Sequence, residues 1–171
     1  MFAPKPRANV RPAAVAGSFY PRAKSELKGM VEALLRKANP SGQRSPLGVI
    51  APHAGYAYSG PVAASAFAEV ATAGHRYIRV LLLGPPHYVP VSGIAASSAK
   101  AFATPLGEVS IETDTVAALV DQGLVRIDDR AHAPEHSLEV ELPFLQTVLG
   151  DFTLLPLLVG GASPEHRRLD G

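Results

Sequence analysis

Apolar and polar positions alternate along this chain with two different periods. In SELKGMVEALLRKANP, residues Leu27, Met30, Val31, Leu34 and Leu35 recur at i, i+3, i+4, i+7 and i+8, one stripe of a helix. Ser25 is placed to cap that helix, and Asn39–Pro40 stops it. A second helix is predicted through VAASAFAEVATA, opening at Pro61, whose missing N–H suits a first helical position, with Val62, Phe67 and Val70 inward. TDTVAALVDQG predicts a third, capped by Thr113 and closed by Gly123. LEVELPFLQTVLG predicts a fourth, kinked at Pro143. The continuously apolar runs LGVIA, YIRVLLL and FTLLPLLVG read instead as buried strands. IAASS, KAFAT, EVSI and LVRI are shorter strand candidates, partly antiparallel around the PLG turn, and DDRAHAPEHS reads as a polar loop.

Strands alternating with helices predict an α/β fold, with a largely parallel central sheet flanked by helices. The 171 residues suit one domain, and 47% apolar content excludes a disordered chain. Residues 1–13 read as an extended, Pro-rich arm and residues 14–171 as the α/β domain. No apolar run approaches the ~20 residues of a membrane-spanning helix, and the N-terminus lacks the apolar stretch of a signal peptide. Cysteine is absent, so disulfides and thiolate metal sites are excluded, and a cytoplasmic protein is expected. Residues 1–50 hold nine Lys/Arg against two Glu, and the remainder seven against thirteen Asp/Glu. A basic N-terminal segment could meet an acidic partner, or be a solvated face. No aromatic residues interleave those charges, so neither a nucleic-acid nor a membrane partner is expected.

In parallel sheets, ligands sit outside the carboxyl ends of the strands. His53, in APHAGYAYSG, and His87, in GPPHYVP, each follow an apolar run and would meet at one rim if those strands are neighbours. Of the six histidines, His75 and His166 read as surface residues, while His53, His87, His132 and His136 lie in turn-rich loops. Two histidines from separate strand ends plus an anionic ligand would match a non-haem Fe(II) arrangement, or zinc with an open position. Hydrogen-bonded histidines that only hold turns together fit the same pattern. Glu135 and His136 are candidates for proton transfer, or for a helix-capping region ahead of the fourth helix. Tyr56, Tyr58 and Ser59 are candidate substrate hydrogen-bond donors, or residues that shape the start of the second helix. A Ser–His–Asp hydrolase is disfavoured because no G-x-S-x-G elbow occurs.

Four blocks in order, RPAAVAGSFYP (11–21), APHAGYAYSG (51–60), LLGPPHYVP (82–90) and PEHSLEVELPFLQ (134–146), resemble the Memo family. Its bacterial and archaeal members are also called AmmeMemoRadiSam system protein B. The resemblance implies a fold akin to the LigB-type class III extradiol dioxygenases, which hold Fe(II) by two histidines and a carboxylate. It implies His53 and His87 as metal ligands, with Glu135 and His136 near the same cleft. It also implies association with a radical-SAM protein and an AMMECR1-domain protein, and a non-catalytic binding module is the alternative reading. Family members continue past LLPLLVGGASPE to a late cysteine that serves as third ligand. On that pattern the chain is expected to lack the family's C-terminal part and the third ligand. The last strand is then expected to expose an edge that invites homo-oligomerisation.

Overall fold

A computed structural model describes residues 9–42, 46–72 and 77–161; His75, His166 and the first eight residues of the expected arm lie outside them. Among the described residues seven strands form one mixed sheet: β1 (Val10–Arg11), β2 (Arg79–Gly84), β3 (Ile94–Ala96), β4 (Ala101–Thr104), β5 (Gly107–Ile111), β6 (Arg126–Ile127) and β7 (Thr153–Val159). β7 is the trunk. β2 runs parallel to it along its whole length, with Arg79 opposite Thr153 and Gly84 opposite Leu158. On its other side β7 meets two strands in turn, β5 in parallel at Leu154 and β3 antiparallel at Leu158. β4 pairs antiparallel with β5, β1 parallel with β4, and β6 parallel with β3. The sheet is therefore mixed, because short β-hairpin and edge strands flank its parallel centre.

The helices are α1 (Lys24–Lys37), α2 (Tyr56–Ala71), α3 (Thr113–Asp121), α4 (Asp129–His132) and α5 (Leu142–Leu149). α1, α2 and α5 pack on one another. Leu27 and Val31 of α1, Phe67 of α2 and Leu142 and Phe144 of α5 join Phe102 and Leu154 of the sheet in the main core. The Phe67 and Phe144 rings stack with centroids 5.1 Å apart, an aromatic contact at the heart of the α2–α5 seam.

Several local expectations need correction. LGVIA forms no strand: Leu47 and Ile50 are fully exposed. α2 starts at Tyr56, so Pro61 lies inside it and leaves one carbonyl of the preceding turn without its usual partner; Val62 is 63% exposed, not inward. Ala23, not Ser25, stands at the N-cap of α1, and Glu112, not Thr113, at that of α3. Gly123 does follow α3 with φ +69°, the left-handed turn that a side chain would resist. Pro143 occupies the first turn of α5, preceded by a 3-10 turn over Glu139–Glu141, so it starts a helix and kinks none. DDRAHAPEHS contains α4 and buries His132 and Glu135. Arg11, within the extended arm expected over 1–13, is buried in β1. β7, expected to expose an edge, is paired on both sides; among the described residues the strands with one side unpaired are β1, β2 and β6.

Candidate metal centre

Three loops bring histidines to one end of the β2 strand. His87 lies just past the carboxyl end of β2. Gly84, the last residue of β2, is what lets that loop descend: a Cβ there would stand 2.7 Å from Ser137 Oγ and 2.8 Å from Leu138 Cδ2. Ser137 Oγ donates to the Pro85 carbonyl at 2.8 Å and fixes the loop of His136 against the loop of His87. His53 arrives on the segment ahead of α2. There the Tyr56 N–H donates to the Phe19 carbonyl at 2.8 Å, tying the start of the helix to the N-terminal stretch.

The ring centroids are 5.2 Å apart for His53 and His87, 5.9 Å for His53 and His136, and 4.4 Å for His87 and His136. One ligand nitrogen from each of the three lies within 4.8 Å of the others. Small ring adjustments that draw the nitrogens together would let a single ion sit at about 2.0–2.1 Å from each. His53 and His136 are half-buried and His87 is exposed, so the cluster opens to solvent on the His87 side.

Glu135 is buried beside the rings and committed to orienting them. It accepts from the His87 backbone N–H at 2.5 Å, from the His87 ring Nδ1 at 2.8 Å, and from the N–H groups of His136 and Ser137 at 2.9 Å each. Burial opposes its charge, but these hydrogen bonds and the nearby His87 ring hold its carboxyl down at about 2. An ionised carboxylate only accepts, so the proton of neutral His87 sits on Nδ1 and Nε2 presents its lone pair. This is the arrangement in which a carboxylate fixes tautomer and ring orientation for a metal ligand. Burial lowers the basicity of His53, and the His87 ring, whenever it is protonated, adds repulsion in the same direction. Burial likewise lowers that of His136, against the pull of Glu135. Both rings therefore favour the neutral form that binds metal. His136 Nδ1 is buried without a hydrogen bond; Glu135 Oε1 is 3.3 Å away but outside hydrogen-bond geometry.

The loop of His136 is held from behind by an ion pair that sequence pattern did not reveal. Arg11 donates to the His132 carbonyl at 2.8 Å, to the Glu135 carbonyl at 2.5 Å and to Glu139 at 2.6 Å. Glu139, fully buried, also accepts from the Ala14 and Val15 N–H groups and from the Tyr20 hydroxyl. Burial and the Glu139 carboxylate push the Tyr20 hydroxyl well above its ordinary value, so it remains a donor.

The family model for "Memo-like protein" matches residues 11–170. The chain belongs to the Memo-like protein family. Among its relatives, a MEMO1 family protein of Thermotoga neapolitana is 37% identical over 166 residues, covering 91% of this chain and 60% of its own length. One from Methanopyrus kandleri is 43% identical over 157 residues, covering 86% of this chain and 55% of its own. One from Ignicoccus hospitalis is 36% identical over 171 residues, covering 94% and 60%. The chain thus spans rather more than half the length of these curated relatives.

In this Memo-like chain the other candidate residues have partners or exposure of their own. The Tyr56 hydroxyl is buried and donates to the Val140 carbonyl at 2.7 Å. Ser59 Oγ donates to the Ala54 carbonyl at 3.0 Å, bracing the turn that carries His53. Tyr58 is 87% exposed. His132, the last residue of α4, is buried against β3, with Nε2 3.1 Å from the Ala95 carbonyl, and its basicity is lowered by burial. It joins no ligand cluster among the described residues. Among those residues, no helix is long and apolar enough to cross a membrane.

Proposed function

We propose that this Memo-like protein binds one divalent transition metal through His53, His87 and His136, and that the bound ion serves oxygenase-like chemistry. The observation that carries the reading is the convergence of three ligand nitrogens within 4.8 Å. Imidazole suits Fe(II), Zn(II), Cu(II) and Ni(II) alike. Fe(II) is our first candidate, because the family blocks resemble proteins related to extradiol dioxygenases. His136 takes the place of the expected anionic third ligand, and Glu135 supports the set through His87 without entering it. Three facial ligands would leave positions for a substrate oxygen and a second small molecule, and a metal there would polarise a bound diol.

Anaerobic calorimetric titration with Fe(II), and in parallel with Zn(II), tests the reading. One site per chain is expected. Replacing His53, His87 or His136 by Ala should weaken binding beyond the roughly 10–100-fold that loss of a supporting group costs. Absence of binding heat, or affinity unchanged in His136→Ala, would reject it. Oxygen uptake with catechol, seen with the Fe(II)-loaded protein and absent from the His87→Ala variant, would extend the reading to dioxygenase-like turnover.

A further inference from the structure

The three rings of the centre are not oriented in the same way. His87 is fixed through Nδ1, which lies 2.8 Å from the Glu135 carboxylate. Nδ1 of His136 is buried and has no hydrogen-bond partner among the described residues. A metal-ligating histidine ordinarily donates its other ring N–H to an acceptor that holds the ring. For His136 the holding falls to packing, and its neighbours are aromatic. The Phe19 ring lies 4.6 Å away, centroid to centroid, tilted by 44°. His87 stacks on it at 4.4 Å and 24°. Tyr88 meets it edge-on at 5.7 Å, but from a position that is 52% exposed. All three separations fall within or next to the range in which aromatic pairs attract.

Phe19 is the neighbour that the fold holds in place. It is half-buried and belongs to a tight turn over residues 15–20. Its N–H donates to the Val15 carbonyl at 3.0 Å, and the Gly17 N–H donates to the Tyr20 carbonyl at 2.7 Å. Glu139 closes this turn at both ends. Its Oε1 accepts the Val15 N–H at 3.0 Å and the Tyr20 hydroxyl at 2.5 Å. Glu139 stands three residues past His136, so the turn is fastened to the segment that carries that ring. The Phe19 carbonyl accepts the Tyr56 N–H at 2.8 Å, three residues past His53.

We propose that Phe19 is the positioning residue of His136, doing by ring contact for that imidazole what Glu135 does by hydrogen bond for His87. With Phe19 on one side and His87 stacked on the other, the His136 ring is confined between aromatic faces and its ligand nitrogen is presented to the other two. An aliphatic side chain in place of Phe19 would keep an apolar contact but offer no flat face, and the imidazole would gain freedom about its side-chain bonds. Metal affinity would fall because that freedom is lost again on binding. The effect on affinity rests on the proposed metal centre; the confinement of the ring is a property of the metal-free chain and is read without it.

The test compares the full chain with Phe19→Leu, which removes the ring, and Phe19→Tyr, which keeps it. Circular dichroism checks that both stay folded, and Phe19→Met replaces the leucine variant if that one does not. In metal-free protein carrying carbon-13-labelled histidine, the order parameter of the His136 ring should fall in Phe19→Leu and hold in Phe19→Tyr, with His132 unchanged in both. In calorimetric titration with Zn(II), Phe19→Leu should bind roughly threefold to tenfold more weakly than the parent, the range an aromatic pair contributes, and Phe19→Tyr within about twofold of it. A Phe19→Leu variant that lowers the unfolding midpoint but leaves His136 order and Zn(II) affinity at parent values would overturn the proposal. So would a Phe19→Tyr variant as weak and as mobile as Phe19→Leu. A parent chain that binds no Zn(II) or Fe(II) would reject the metal reading, and the order of the His136 ring would then decide the role of Phe19 by itself.

Discussion

Glu135 has both carboxylate oxygens engaged by the backbone and ring of His87 and by the amides that follow it. Glu135→Gln would put an N–H₂ group where acceptors are needed and loosen the His87 tautomer. Metal affinity by calorimetry should fall by about 10–100-fold. Glu141 behaves in the opposite way, because burial alone raises its carboxyl to about 8. Its folded value lies above its ordinary one, so the neutral form is favoured in the fold. That contribution is complete below about pH 4.5 and is lost as pH rises through about 8. Glu141→Gln should therefore melt with wild type near pH 4.5 and above it at pH 8–9, by an amount on the order of 1.4 kcal/mol for each pH unit crossed. Thermal melts across that range check it. His53 and His87 were legible as candidates because each stands among Pro and Gly after an apolar run. The resemblance put His136 near the same cleft, but its place as a third ligand ring was not legible, because the contact between Gly84 and Ser137 that delivers it spans more than fifty residues.

Long, strongly periodic elements were legible. α1, β2 and β7 follow directly from the 3.6-residue stripe and the apolar runs, although β2, expected to be buried, leaves Leu81 and Leu83 exposed. LGVIA was misread because an apolar run implies a strand only when a partner is present, and none pairs with it among the described residues. The DDRAHAPEHS segment, read as a polar loop, instead contains α4 and packs inward, because its backbone carbonyls find partners elsewhere in the fold, chiefly Arg11. Two predictions belong to this scale. Gly84→Ala would force β2 away from Ser137 and Leu138. It should cost roughly 1–3 kcal/mol in urea unfolding and lower metal affinity as well. Arg11→Met would leave the Glu139 carboxylate buried without its cation and free the His132–Glu135 carbonyls. It should cost about 3–5 kcal/mol, read from the same unfolding midpoint.

For the whole molecule, an α/β architecture was legible, but the sheet is mixed because β3 and β5 share one side of β7 while β2 takes the other. This trunk matters for the site, because the rigid β2–β7 pair carries His87 and Gly84 to the point where two separately anchored loops deliver His53 and His136. The central claim is that these three rings act as one ligand set. X-ray absorption at the K edge of the metal, recorded on the loaded protein and on His136→Ala, tests it most directly. The account predicts three imidazole nitrogens at about 2.0–2.1 Å in the parent and two in the variant. An identical imidazole count in both proteins, or a first shell without imidazole, would contradict it.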